Sequence, residues 1–345
     1  MELSKLPAWG AGAWSAAYGV LAVVWWAGGG SYPFGPVDDD HRSASLLEGA
    51  PVGVVAPIMA GVCLGGVVLA VYLARGGAGR RALIAAWSLA AVLALLLPDY
   101  SLLAFLAFSP VLVVFAFTGV PGPQDGLGDI MYWHRTNLII LFAGGVLWAV
   151  AALIASRRAR GACLRCGGGS PVPRGTLLRF GRRAVLVSLL APLPYEVTRI
   201  AWYLGVPLGI PDDFLAMMQD TPGMLEVGLG CAAASLLGGV LTHGLVAAWG
   251  ERFPRWVLGR GGRPVPPMLA VVPALLVAVV LVPAGLMNLR LSITPSTWAI
   301  AGPGVLWTVW GVALGAAAVA YHLRRRPACP HRPAPRLVSG VVPEV

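Results

Sequence analysis

The chain has 345 residues, of which 57% are hydrophobic and 12% are charged, and its formal net charge is +10. A soluble domain cannot bury that much apolar surface, and the arginines lie between apolar segments instead of on one recognition face, so we exclude a water-soluble enzyme and a nucleic-acid partner. Apolar stretches of about twenty residues, the length that crosses a bilayer, recur from end to end. They predict an all-α, polytopic membrane helix bundle whose outer faces contact lipid.

The apolar stretches predict eight transmembrane helices in two groups of four. The first group lies within residues 1–155 and the second within 184–323. A basic cytoplasmic linker with a CxxC motif, 156–183, joins them, and a basic, disordered cytoplasmic tail, 324–345, follows. The predicted spans cover residues 9–27, 51–74, 82–106 and 138–155, and then residues 184–205, 223–248, 267–289 and 303–321.

The third span contains Pro98, which predicts a kink. After Leu106 only about twelve apolar residues remain, which is too few to cross a bilayer. We therefore expect 107–119 to be a re-entrant or interfacial segment. If 102–119 were a ninth span, the arginine-rich link before it and the arginine-rich links after it would lie on opposite sides of the membrane. Hydropathy alone leaves that possibility open.

The distribution of basic residues predicts the orientation. All of them except Arg42, Arg135, Arg199 and Arg290 lie near the N-terminus, in alternate links or in the C-terminal tail. The remaining links are acidic. Because basic residues concentrate on the cytoplasmic side of membrane proteins, both termini are predicted to be cytoplasmic.

A set of short motifs occurs twice in the same order and predicts a tandem duplication. Tyr18 precedes a Trp-Trp pair by seven residues, and Tyr195 precedes Trp202-Tyr203 by the same seven; a glycine and a proline-rich loop ending in aspartates follow each. Further pairs are Leu46–Glu48 with Met224–Glu226, Arg75–Gly77 with Arg260–Gly262, Leu97-Pro98 with Val282-Pro283, and Gly145–Trp148 with Gly304–Trp307. Corresponding helices would run in the same direction, so we expect two parallel four-helix pseudo-repeats.

Several of these stretches resemble a group of uncharacterised actinobacterial multi-pass integral membrane proteins. They are the Tyr18 to Pro36 region, the Arg-Gly-Ala-Cys-Leu-Arg-Cys stretch ending at Cys166, the Trp202 to Asp213 segment and Phe253-Pro254-Arg255-Trp256. The resemblance covers most of the chain and implies the same topology in a bacterial cytoplasmic membrane. It implies no activity, cofactor or catalytic residue.

Four polar residues within the predicted spans are candidates for a substrate or ion pathway: Glu196, Arg199, His243 and Asp99. An ionisable group in hydrocarbon is costly unless it is paired or lines a watery cavity. Glu196 and Arg199 are three positions apart, so we expect them to pair on one helix face. A purely structural ion pair is the alternative. We interpret His243 as a mid-span residue of the same pathway. The alternative is a structural residue whose side chain only hydrogen-bonds to a neighbouring helix.

An acidic cluster is predicted on the outer face. Its carboxylates could attract a cation or a basic ligand, although the favoured interpretation is that the aspartates cap a short helix and that acidic residues avoid the inner side. The cluster comprises Asp38, Asp39, Glu48, Asp212, Asp213 and Glu226.

The CxxC motif of the linker is a weak indication of zinc. A structural zinc site needs four ligands, and only the tail could complete the set. The four candidates are Cys163, Cys166, Cys329 and His331. A dithiol or unreactive loop cysteines are the alternatives.

Three functions stay open from the sequence. A small-solute or ion permease predicts a water-accessible cavity lined by Glu196, Arg199 and His243, with a small molecule or a cation as ligand. A non-catalytic accessory or immunity-type protein predicts a closely packed bundle. A membrane-embedded enzyme acting on a lipid or isoprenoid predicts an outer groove that holds the acidic cluster. The permease is favoured over the accessory protein, and the enzyme comes third.

Overall fold

The computed structural model describes residues 4–36, 45–107, 109, 132–164, 168, 172–256, 259–291 and 294–326, and within these ranges the chain is helical without a β-strand. The helices are α1 (Leu6–Trp26), α2 (Val52–Ala74), α3 (Arg80–Ala91), α4 (Ser101–Ala107), α5 (Trp133–Ala159), α6 (Arg174–Leu190), α7 (Leu193–Tyr203), α8 (Asp212–Asp220), α9 (Met224–His243), α10 (Pro267–Asn288) and α11 (Trp298–Arg325). A π-helical segment, Val92–Leu96, extends α3.

Six helical segments have the length and the apolar composition to cross a membrane. They are Val52–Ala74, Trp133–Ala159, Arg174–Tyr203, Met224–His243, Pro267–Asn288 and Trp298–Arg325. A seventh is added if Arg80–Leu96 and Ser101–Ala107 form one broken span. For the described residues, the predicted polytopic all-α membrane bundle is therefore confirmed at the level of six or seven spans.

The third predicted span is bent at the position of Pro98. Its two parts, Arg80–Leu96 and Ser101–Ala107, are inclined by 69°. The π-helical segment comes directly before the break, and Pro98 removes one backbone hydrogen-bond donor, which weakens the helix at this point. Of the segment predicted to be re-entrant, 107–119, all but residues 107 and 109 lie outside the described residues.

Small residues hold the first four helices together. Helix α1 packs on α2 and α5, while α3 and the π-helical segment pack on α5. A Cβ added at Gly66 would lie 2.8 Å from Ser15 Oγ, and one at Gly145 would lie 2.6 Å from the Ala94 nitrogen. Helices in lipid associate by such close approach, because hydrocarbon provides no hydrophobic drive between them.

The later helices pack by the same means. Helix α10 packs along α11, α11 also packs on α6, and α9 packs on α7. A Cβ at Gly285 would lie 2.2 Å from the Thr308 nitrogen, and one at Gly311 would lie 2.6 Å from the Ala278 carbonyl oxygen. The backbones of α10 and α11 are therefore in direct contact at glycine.

The two groups of helices meet at the broken third span. Helix α10 contacts the π-helical segment. Beyond the end of α10, Arg290 Nη2 donates to the Leu96 carbonyl oxygen at 3.4 Å. On the other side of the break, Leu103 of α4 packs against the hydrophobic core of the second group.

Two predicted spans differ from the helices observed. The fifth, predicted over 184–205, belongs to a longer helical region in which α6 begins at Arg174 and a break near Pro192 precedes α7. The sixth, predicted to reach residue 248, ends at His243 because the chain then folds back so tightly that a Cβ at Gly250 would lie 1.7 Å from the Gly244 oxygen.

We expect Gly285→Ala to destabilise the protein, because the new methyl group must push α10 away from the α11 backbone. Overpacking of this kind costs about 1–3 kcal/mol. Thermal unfolding of the purified protein, followed by circular dichroism, should show a Tm several degrees lower. Gly302→Ala is the matched control, since nothing lies within 4 Å of a Cβ there. It should leave Tm unchanged or raise it, and an equal loss in both variants would contradict the packing argument.

Candidate functional site

The break in the third span surrounds a buried carboxylate. Asp99 follows Pro98 directly and is 0% exposed. Its Oδ1 accepts a hydrogen bond from the Ser101 backbone N–H at 2.8 Å, at the first residue of α4. No hydrogen-bond partner of Asp99 Oδ2 exists in the described part of the chain, and the same holds for the neighbouring Ser101 Oγ. Such unpartnered buried polar atoms cost free energy unless water or a ligand binds them.

A guanidinium group from the second group of helices approaches the same break. Arg290 donates to the Leu96 carbonyl oxygen and interacts electrostatically with Asp99. Burial lowers the pKa of Arg290, and the attraction of Asp99 opposes that shift. The break therefore combines a freed carbonyl group, a carboxylate and a cation, and the cation comes from the other half of the chain. The sequence indicated Asp99 as a candidate, whereas Arg290 was noted only as a basic residue outside the arginine-rich links.

A hydrogen-bonded histidine lies at the start of α5. His134 is buried; its Nδ1 lies 2.7 Å from the Pro33 carbonyl oxygen and its Nε2 lies 2.7 Å from Ser45 Oγ. The Ser45 backbone N–H in turn donates to Glu48 Oε2 at 3.3 Å. His134 thus joins α5 to the segments before and after residues 37–44. Sequence reasoning did not select it, because a polar residue next to Trp133 is typical of an interfacial anchor.

An aromatic series runs from α1 to His134. Each ring contacts the next, with centroids 5.0–6.2 Å apart, in the order Trp14, Tyr18, Trp25, Tyr32, Phe34 and His134. Tyr18 also donates to Asn137 Oδ1 at 3.0 Å. The Asn137 amide nitrogen and the Tyr32 hydroxyl have no hydrogen-bond partner among the described residues. Burial raises the pKa of Tyr32 to about 12.

Glu196 and Arg199 do not form the ion pair that their spacing predicted. Glu196 is buried, and its Oε1 accepts a hydrogen bond from Ser235 Oγ of α9 at 2.7 Å. Arg199 instead lies over the Tyr195 and Trp202 rings, at 4.6 and 4.0 Å from their centroids. Its guanidinium donates to two carbonyl oxygens at the start of α11, Ala299 and Ile300. Each side chain therefore has its own partners, Ser235 for Glu196 and carbonyl groups with aromatic rings for Arg199.

His243 is not a mid-span residue and does not join Glu196 and Arg199. It is the last residue of α9 and is exposed. Ser235, the partner of Glu196, lies eight residues earlier on the same helix, so about 12 Å of helix axis separates His243 from that contact. The predicted shared lining of one cavity by these three residues is therefore not observed.

The members of the acidic cluster that the structure describes form no metal-binding group. Asp212 and Asp213 are exposed and begin α8, where the helix dipole favours negative charge. Glu226 is exposed in the first turn of α9, and the half-buried Glu48 accepts a hydrogen bond from Ser45. Asp212 and Asp213 fit the alternative of aspartates that begin a short helix, although no side chain caps α8 through a hydrogen bond. Asp38 and Asp39 lie outside the described residues.

The predicted zinc ligands cannot be compared as a set. Cys163 is described and half-buried, whereas Cys166, Cys329 and His331 lie outside the described residues. In the ranges that the structure covers, no three His, Cys, Asp or Glu side chains lie close enough to hold a metal ion.

Comparison with known proteins identifies no relative. No protein-family model matches the chain, and no curated protein or solved structure matches it significantly.

We expect His134→Phe to loosen the chain at the C-terminal end of α1 and before the N-terminal end of α2. The substitution keeps a ring of similar size but removes both contacts of the imidazole, at a cost of about 1–3 kcal/mol for the buried groups left unpaired. Hydrogen–deuterium exchange, read by mass spectrometry, should become faster in peptides covering 31–36 and 45–50. His243→Phe, at an exposed histidine, should leave these peptides unchanged. Unchanged exchange in His134→Phe would show that the two contacts do not hold these segments.

Proposed function

We propose that the protein has eight spans, with α1 as the first. Helix α1 is 21 residues long and carries no charged residue. Its tryptophans and glycines lower its hydropathy, but tryptophan is common at the ends of membrane helices. With α1 and the broken third span, the six apolar helical segments become eight. An even number of spans puts both termini on the same side of a bacterial cytoplasmic membrane. The arginine-rich links lie on that side, which is therefore the cytoplasmic side.

The eight spans form two tandem repeats of four helices. Neighbour relations support this arrangement, because the first helix of each half packs on the second and fourth, and the third packs on the fourth. Helix ends support it too. Gly28 and Gly205 have φ of 82° and 80°, and each donates to the carbonyl oxygen of an equivalent tryptophan, Trp25 or Trp202, at 3.1 or 3.0 Å. Matching sequence motifs thus adopt matching conformations.

Within this architecture the protein is a small-solute or ion permease. One observation carries the proposal, namely the broken third span with Asp99 buried at the break and one of its carboxylate oxygens without a hydrogen-bond partner among the described residues. Transporters commonly bind solutes and coupling ions at discontinuous helices, where unwound carbonyl groups and helix ends face the site. A single-chain ATP-driven pump is excluded, since the sequence has no phosphate-binding loop.

The ligand that suits this site is a small cation or a solute carrying a positive charge. Asp99 Oδ2 has no hydrogen-bond partner among the described residues, and a carboxylate in a low-dielectric site attracts cations strongly. Arg290 lies at the same break and interacts electrostatically with Asp99.

Water access to the break tests the proposal. In a background without native cysteines, Asp99→Cys should react with a membrane-impermeant thiol reagent, slowly but to completion, because the site opens only during part of the transport cycle. Asp213→Cys, on the exposed first turn of α8, should react quickly. Leu64→Cys, 68% exposed on the lipid-facing side of α2, should not react. An Asp99→Cys variant as unreactive as Leu64→Cys would mean a dry break and would contradict the permease.

Ion flux gives a second test. We expect reconstituted vesicles with the full chain to pass protons or Na⁺, measured with an enclosed pH- or sodium-sensitive dye. Asp99→Asn keeps the shape but removes the charge and should lower the flux at least about tenfold, as loss of one buried charge partner costs several kcal/mol. Asp212→Asn is the matched control and should leave the flux unchanged. Equal flux in both variants would remove Asp99 from the pathway.

A further inference from the structure

A second site lies far from the break, at the opposite, arginine-rich end of the second half. It is an apolar groove of about 460 Å³ between α9, α10 and α11, closed at one end by the loop from Gly244 to Pro266. Carbon atoms form nearly all of its lining. The aromatic part of the lining comprises Trp249, Phe253, Trp256 and Trp310.

The groove has the length of a hydrocarbon chain in one leaflet. Along α10 it extends from Leu269 to Val277, which is about 12 Å of helix axis. One leaflet of hydrocarbon is about 15 Å deep. At the loop, Trp256 is 81% exposed, and tryptophan prefers the boundary between hydrocarbon and water. The groove therefore runs inward from the membrane surface.

The loop at the mouth of the groove is fixed in place by the end of α11. Tyr321 donates to the Gly250 carbonyl oxygen at 2.6 Å, and Arg325 Nη2 donates to the Val265 carbonyl oxygen at 2.8 Å. Arg324 and Arg325 form ion pairs with Glu251. An antiparallel bridge between Arg252 and Pro264 closes the loop on itself. The groove is thus preformed.

The loop carries a surplus of positive charge. Its only acidic residue, Glu251, is already neutralised by the two arginines of α11. Four further arginines of the loop are exposed and form no ion pair or side-chain hydrogen bond with the described residues: Arg252, Arg255, Arg260 and Arg263. Arg255 lies between Pro254 and Trp256, both of which line the groove.

We propose that this groove binds an anionic phospholipid, with an acyl chain along α10 and the phosphate headgroup at Arg252, Arg255 and Arg263. An apolar groove that ends at unpaired guanidinium groups matches an amphiphile with a negative head. A zwitterionic lipid would fill the groove but would not neutralise the arginines. The site is independent of the permease, because it shares no residue with the break at Asp99.

Tryptophan quenching tests the proposal. The full-length protein is reconstituted in phosphatidylcholine vesicles that contain a small fixed fraction of either dibrominated phosphatidylglycerol or dibrominated phosphatidylcholine. Bromine quenches every tryptophan that it contacts, and the chain has 13, so the groove's share is the part of the quenching that a substitution filling the groove removes. We expect stronger quenching by the brominated phosphatidylglycerol. Inorganic phosphate in the buffer should not reduce it, since a free anion lacks the chain.

Two pairs of variants separate the headgroup from the groove. A triple variant that combines Arg252→Gln, Arg255→Gln and Arg263→Gln should lower the preference for phosphatidylglycerol by about fivefold per arginine. The α6 triple variant, which combines Arg174→Gln, Arg179→Gln and Arg182→Gln, removes the same charge from the exposed face of α6. It should preserve the preference for phosphatidylglycerol. Gly238→Leu should fill the groove and reduce quenching by both lipids. Gly230→Leu should not, although a Cβ has open space at both glycines.

Two results would overturn the proposal. Equal quenching of the wild-type protein by the two brominated lipids would mean that the arginines do not select a headgroup. An equal loss of preference in the α6 triple variant would mean that general surface charge, and not the loop, attracts the anionic lipid.

Discussion

Polar groups in the apolar layer must find partners within the chain, because hydrocarbon offers none. The helix ends meet this constraint locally, as where Gly28 and Gly205 turn the last backbone N–H groups back onto α1 and α7. The broken third span meets it only in part. Arg290 satisfies the Leu96 carbonyl group, yet one Asp99 oxygen has no hydrogen-bond partner in the part of the chain that the structure describes. An unpaired polar atom at such a depth persists only where a ligand, water or conformational change compensates for it, and the proposed transport function depends on that imbalance.

The two halves of the bundle use different polar contacts. In the first half, Tyr18 donates to Asn137 and connects α1 to α5, while His134 connects α5 to the segment that follows α1. In the second half, Arg199 binds carbonyl groups and aromatic rings, while Arg324 and Arg325 fix the loop before α10. The proposed solute site lies at the break between the two halves, whereas the proposed lipid site lies within the second half.

Much of the helix layout follows from hydropathy and from single residues. The described helices lie close to the predicted spans, and the bend falls at Pro98, where a backbone hydrogen-bond donor is missing. Pro98 alone does not explain the bend, since Pro283 lies inside the continuous α10. Predictions about contacts were less successful. The interval of three residues between Glu196 and Arg199 suggested a pair, but Glu196 bonds to Ser235 and Arg199 bonds to carbonyl groups at the start of α11. His243 lies at a helix end because Gly244 and Gly250 allow a tight turn that hydropathy does not register.

The sequence by itself determined the apolar helices, the arginine-rich links, the repeated motifs and the candidacy of Asp99, since each depends on composition or on neighbouring residues. Only the tertiary structure decided which polar groups meet. Arg290 reaches Leu96 across 194 positions of sequence, and Arg325 reaches Val265 across 60. Contacts of that range depend on how helices pack and rotate, which close approach at glycines such as Gly145 and Gly285 controls. A linear pattern records the glycine but not the partner that lies against it.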